Sequence, residues 1–261
     1  LLLAHRRLMK RAGRLLALAL LWPVLATPQQ APARELLAVG AQFERVFEYQ
    51  VSGEYGGLGA ELLRLMAART GNTVRFRMVP WARAQAMLVQ GQADILIGPY
   101  KSPERIASMA FSEKPFYQDQ MVFYTRQDAS FGWDGDYSVL KNRRMVLLNG
   151  WAYGSDWERV RPGLQVSVAN NVENGLKMLV HNHVDVFVSN RRNTDPVIAR
   201  LGYARQVKPL PRVVETQNGY FAFPRSPAFD RLRLQFDQEL NSLIDSGELK
   251  RLGKRYDVSV P

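Results

Sequence analysis

Two stretches of the chain, 91 residues apart, share one pattern: "MLVQGQADILIGP" from Met87 and "MLVHNHVDVFVSN" from Met178. Each begins Met-Leu-Val, passes through four variable residues, meets an aspartate (Asp94, Asp185) and continues as an apolar run. Gly91 and Asn182 stand at the same place, and both residue types accept the left-handed backbone that ends a helix. The spacing predicts helix, tight turn and short buried strand in each copy. A chain built on two such modules is expected to form two similar halves.

The repeat also accounts for two of the three histidines. His181 and His183 fall where Gln90 and Gln92 stand in the first copy, so a polar turn explains them. With Asp185 they fall short of the three or four ligands of a closed metal site, and the chain has no cysteine to add. No metal is expected.

Around the modules, strands and helices alternate, which points to an α/β architecture. Strands are expected at "LLAVG", "TVRFRMV", "DILIG", "RMVLLN", "LQVSVA", "DVFVS" and "GYFAFPR". "FEYQVSGEYGGLG" reads as a hairpin or loop around its glycines. Helices are expected from Leu58 to Arg69 with Gly71 as the stop, from Pro80, from about Ala152, into Met178, and from Pro227 to Gly247. "MVFYTRQD" reads as an extended connector between the halves, and Arg191 and Arg192 as a solvated loop.

The first 33 residues carry a different message. Five basic residues (Arg6, Arg7, Lys10, Arg11, Arg14) flank an apolar run from Leu15 to Ala26, and Ala31-Pro32-Ala33 offers small residues for cleavage. This is the pattern of a secretory leader, with cleavage expected after Ala33 and Ala26 as the competing site. Twelve apolar residues are too few to span a bilayer. Met9 is a more natural start than Leu1. Of 35 Lys and Arg, five lie in the leader, which leaves 30 against 24 acidic residues, a moderate +6. Basic residues beyond the leader come at most in pairs, and no nucleic-acid-binding signature occurs, so a nucleic-acid partner is not expected. Without cysteine there is neither a disulfide nor a lipid-anchored cysteine. The expected mature protein is free in the periplasm.

With these residues in place, the sequence resembles the bacterial extracellular solute-binding proteins of family 3, the amino-acid-binding class of periplasmic proteins. The likeness covers roughly residues 35–257. It rests on "LLAVG…VFEYQ", "GLGAELLRLMAARTG", "VPWARAQAMLVQGQADILIGPYKSPERIASMAFSEKPFY" and the closing "GELKRLGKRY". The resemblance implies a two-lobed Venus-flytrap fold with two hinge crossings. Lobe 1 would span about 34–125 plus 217–261, and lobe 2 about 126–216. It implies a monomer that binds a small carboxylate-bearing solute, such as an amino acid, and delivers it to the membrane permease of an ABC transporter. No cofactor is implied.

Site residues follow position by position from the same resemblance. Arg105 matches the arginine that holds the ligand carboxylate, a task suited to its planar fork of donors. Gly98 and Tyr100 match positions offering backbone groups, Ser102 matches a ligand-binding threonine, and Trp81 falls where an aromatic ring often meets the ligand. Trp151, Ala152 and Tyr153, following Gly150, match a loop whose amides approach from lobe 2. Asn190 stands where amino-acid binders usually carry the acid for the ligand ammonium, and Glu44 is a possible substitute. Asn190→Asp is accordingly expected to improve amino-acid binding.

Two other readings stay open. Periplasmic cyclohexadienyl dehydratases resemble this family, and such an enzyme needs a general acid or base in the cleft; Glu44 and Glu173 are the candidates. A sensor lobe that presents its ligand to a receptor is the other. "GLGAEL" at 57–62 misses the dinucleotide fingerprint because Leu62 replaces its third glycine.

Overall fold

The computed structural model describes residues 33–261. The leader pattern at 1–32 lies outside the described residues.

The chain opens with β1 (Glu35–Gly40), the hairpin β2 (Glu48–Tyr49) and β3 (Tyr55–Gly56), α1 (Leu58–Arg69), β4 (Thr73–Met78), α2 (Trp81–Val89) and β5 (Ile95–Tyr100). It continues through α3 (Pro103–Ser108), β6 (Met109–Phe111) and the long β7 (Tyr117–Arg126). The next part holds β8 (Arg144–Leu148), α4 (Ser155–Val160), β9 (Gln165–Ala169), α5 (Val172–Val180), β10 (Val186–Asn190), α6 (Arg191–Arg200) and β11 (Val207–Pro209). A second long strand, β12 (Glu215–Pro224), leads into α7 (Pro227–Asp245) and α8 (Glu248–Tyr256).

The strands join in the order β4-β1-β5-β12-β7-β10-β8-β9. The order has the same plan from either end. β1 lies parallel between β4 and β5, and β8 lies parallel between β9 and β10. Next to these, β12 runs antiparallel to β5 and β7 antiparallel to β10. β12 and β7 pair with each other at the centre, through Glu215–Gly219 and Tyr117–Met121. β5 and β10 are buried along their whole length, as expected of strands covered on both faces.

The internal repeat is carried into three dimensions. Gly91 and Asn182 both take the left-handed conformation, with φ of 69° and 56°. The amides of Gln92 and His183 reach back to the carbonyls of Met87 and Met178, at 2.8 and 2.9 Å. Asp94 then accepts from the amide of Leu37 on β1, and Asp185 from the amide of Arg144 on β8, at 2.7 and 2.9 Å. Each aspartate fastens its turn to the central strand of its own half. His181 and His183 are exposed on the turn after α5.

Two expectations change, and a third gains its pairing. "MVFYTRQD", expected as an extended connector, supplies much of β7, where Met121 pairs with Asn190 of β10; the same strand pairs with β12 through 117–121. The helix expected from Ala152 begins at Ser155, because Gly154 at φ 100° holds the chain out of helical geometry. The loop expected at Arg191 and Arg192 is the first turn of α6. Asn190 caps that helix, its side-chain oxygen accepting from the amide of Asn193 at 2.9 Å, while Thr194, Val197 and Ile198 face the core.

Candidate functional site

Between the halves lies a small cavity bordered by five aromatic rings: Phe43, Trp81, Tyr100, Tyr117 and Trp151. Arg105, Gly98 and Ala152 complete its wall. The volume open to the centre of a water molecule is about 10 Å³, room for about one water. Phe43 packs edge-on against Trp81 and Trp151, with ring centroids 5.1 and 6.0 Å apart.

Local structure fixes each wall. β5 ends in Gly98-Pro99-Tyr100, and Gly98 has φ 83°. Tyr117 donates its hydroxyl to the Gly98 carbonyl at 2.7 Å, so close that a Cβ on Gly98 would meet that oxygen at 3.0 Å. Only glycine suits both the conformation and the approach. Ser102 caps α3, accepting from the Arg105 amide at 3.3 Å, and Pro103 opens the helix. That cap turns the Arg105 side chain back beneath β5.

Arg105 is 6% exposed. Its guanidinium donates to the carbonyl of Tyr100 (2.8 Å), the side-chain oxygen of Gln85 (3.0 Å) and the carbonyl of Gly150 (2.6 Å). It also sits 5.6 Å from the Trp81 ring centroid, within cation–π range. Among the described residues no carboxylate forms a salt bridge with it, and burial lowers its pKa. A buried cation with only neutral partners is a strong attractor for an anion.

The other half answers with a carbonyl. Gly150, at φ 70°, follows β8 and directs its oxygen at three donors of the first half: Trp81 Nε1 (2.9 Å), Arg105 Nη2 (2.6 Å) and Gln85 Nε2 (3.4 Å). The group of this loop that meets Arg105 is the Gly150 carbonyl. Tyr153 anchors the loop from beneath, its hydroxyl accepting from the Leu148 amide at 2.7 Å.

Behind Tyr100 lies a charged network that sequence reasoning missed. Asp119 on β7 is buried and receives Arg192 Nε (2.9 Å) and Nη2 (2.6 Å), the Tyr100 hydroxyl (2.6 Å) and Asn190 Nδ2 (3.0 Å). Asn190 Nδ2 also donates to the Tyr100 hydroxyl at 2.9 Å. Arg192 reaches the Glu44 carbonyl as well, and its guanidinium lies 5.0 Å from the Tyr117 ring centroid. Burial alone would lower the Arg192 pKa, but the Asp119 carboxylate outweighs it and raises the value. Burial and then the charge of Asp119 push the Tyr100 phenol well up, so it remains a donor.

Six of the ten positions named from sequence border the cavity: Arg105, Trp81, Gly98, Tyr100, Trp151 and Ala152. Four do not. Ser102 is a helix cap, and Tyr153 is buried beneath its loop. Asn190 is a cap and a partner of Asp119. Glu44 meets the other half with its backbone, its amide donating to Asn193 Oδ1 at 2.8 Å, while its carboxylate lies 3.8 Å from Arg200. Glu173, the second candidate acid, pairs with Lys177 at 2.6 Å on α5, and neither glutamate borders the cavity. Phe43 stands one residue before Glu44, and Tyr117 closes the "FSEKPFY" motif.

Comparison with known proteins bears on the fold and the family. A probable amino-acid-binding protein of Bacillus subtilis, YxeM, is 22% identical over 232 residues, covering 86% of each chain. A histidine kinase sensor domain with similarity to periplasmic binding proteins superposes with a TM-score of 0.78 at 20% identity, over 88% of this chain and 99% of that one. A mutant of the arginine-binding protein ArgBP from T. maritima gives 0.72 at 19%, over 85% and 94%. The fold is thus the two-lobed one of periplasmic binding proteins. The sequence profile of the bacterial extracellular solute-binding proteins, family 3, matches residues 37–258, and the chain belongs to that family.

Proposed function

We propose that the protein is an exported receptor that clamps a small carboxylate-bearing solute between two lobes and passes it to the permease of an ABC transporter. The carrying observation is Arg105, buried at the cavity wall with only neutral partners. Trp81, Gln85 and Arg105 already converge on one oxygen, that of Gly150. Opening the lobes frees these donors, and a ligand carboxylate then replaces the carbonyl. A site with room for one water must open before any such solute enters.

The β7–β12 ribbon supports a hinge at 117–121 and 215–219. These two strands connect the proposed lobes, about 34–125 plus 217–261 and about 126–216. The leader pattern supports a periplasmic location, and the protein acts as a monomer without chemistry of its own. A second reading is favoured by the likeness to a kinase sensor domain: the same clamp reports its ligand to a receptor instead of a permease.

A thermal-shift screen of purified protein against carboxylates, amines and neutral sugars tests the binding reading. At 100 times its dissociation constant a ligand adds about 2.7 kcal/mol, a shift of roughly 5–11 °C for a chain of this size. Carboxylates should shift the transition and amines and sugars should not. A shift by sugars or amines alone contradicts the assignment.

A further inference from the structure

We infer that the site selects carboxylates that carry no ammonium group, with a flat or branched apolar body. The inference rests on the reading that Arg105 holds the ligand carboxylate, and it concerns the rest of that ligand.

The cavity wall is rich in donors and has little to accept with. It has five rings and one guanidinium, and no Asp or Glu borders it. Three of its acceptors already receive a donor. The Gly98 carbonyl takes the Tyr117 hydroxyl, and the Tyr100 carbonyl takes Arg105. The Tyr100 hydroxyl donates to Asp119 and accepts from Asn190.

Asp119 lies behind Tyr100 and is already ion-paired within the chain. Arg192 binds both of its oxygens, and Tyr100 and Asn190 add two more donors to Oδ2. The cation that an amino acid would bring is already supplied by the chain itself, as Arg192. An α-ammonium in this cavity would be buried beside Arg105 without an anion, a costly arrangement. A carboxylate with an apolar body suffers no such penalty. Its anion meets Arg105, and in the opened cleft its body packs against Phe43, Trp81, Tyr117 and Trp151.

Paired ligands isolate the ammonium from everything else. Calorimetric titration of the full mature chain would compare 3-phenylpropanoate with L-phenylalanine, and 4-methylpentanoate with L-leucine, each pair differing by one amino group. The same titrations on Arg105→Ala test the underlying site. The expected result is that the member without the amine binds at least tenfold more tightly in whichever pair binds, and that Arg105→Ala weakens it. If an amino acid binds as tightly as its partner or more so, and Arg105→Ala weakens that binding, the inference falls while the carboxylate site stands. If no pair binds, or Arg105→Ala leaves binding unchanged, the carboxylate site falls and the inference with it.

Discussion

Replacing Arg192 by methionine should cost more stability than almost any other single change outside the apolar core. The guanidinium grips Asp119 through two nitrogens at 2.9 and 2.6 Å and also donates to the Glu44 carbonyl across the seam between halves. Arg192 and Asp119 side chains are only 7% and 1% exposed. Methionine fills similar space but leaves the Asp119 carboxylate buried with two neutral donors, Tyr100 and Asn190. Breaking a buried pair from one side costs about 3–5 kcal/mol. The pair also borders a polar opening of about 340 Å³, which lets solvent relieve part of the stranded charge and favours the lower end. Urea denaturation at pH 7 should give a loss of about 3 kcal/mol at unchanged slope. Replacing Asp119 by leucine in the same chain should recover part of it, since the double variant strands no charge. A loss under about 1 kcal/mol for Arg192→Met would refute the reasoning, because it would mean that the pair is exposed or unformed in solution.

Other outcomes follow from the same contacts. Asn190→Asp keeps the α6 cap but sets a second carboxylate where Asn190 Nδ2 now lies 3.0 Å from Asp119. It should lower stability by about 1–3 kcal/mol without improving amino-acid affinity, measured by urea titration and calorimetry. A gain in affinity would restore the expectation drawn from sequence. Asp185 has its carboxyl lowered below the ordinary 3.8, first by the hydrogen bond from the Arg144 side chain. Its contribution to stability is therefore present above that value and lost as pH falls through the lowered one. The cost of Asp185→Asn should be evident at pH 7 and shrink in acid; a cost that grows in acid contradicts the sign. If the β7–β12 ribbon is a hinge, small-angle scattering should show the radius of gyration decrease on saturation with a carboxylate. An unchanged radius would argue against closure.

Much of this molecule was legible from residue pattern because its signals are local. Helix, left-handed turn, aspartate and buried strand recur at 87–99 and 178–190, and each link is set by neighbours a few positions away. The cavity side of Arg105 was legible for the same reason: Gly98, Tyr100, the Ser102 cap and Arg105 lie within eight residues. The α6 helix was not, because "RRNTDPVIAR" is polar at its start and carries a proline inside. Its cap is Asn190, whose side-chain oxygen accepts from the Asn193 amide. Nor was the Asp119–Arg192 pair legible, since 73 residues separate its members and only the strand order brings them together. The acid that Asn190 touches stands on the neighbouring strand, paired with the arginine two residues beyond Asn190. Local pattern carries no record of which strand lies alongside, so it could not show that Asn190 meets Asp119.

Central to the proposed function is Arg105 as the anion site of a closing cleft. Titration calorimetry of the tightest-binding carboxylate into the unmodified protein and into Arg105→Ala tests that directly. Truncating one member of a buried charge pair costs roughly 2–5 kcal/mol, so affinity should fall by about thirty-fold to several thousand-fold. Equal affinity in the two proteins would contradict the account, because the carboxylate would then be held somewhere other than at the buried guanidinium.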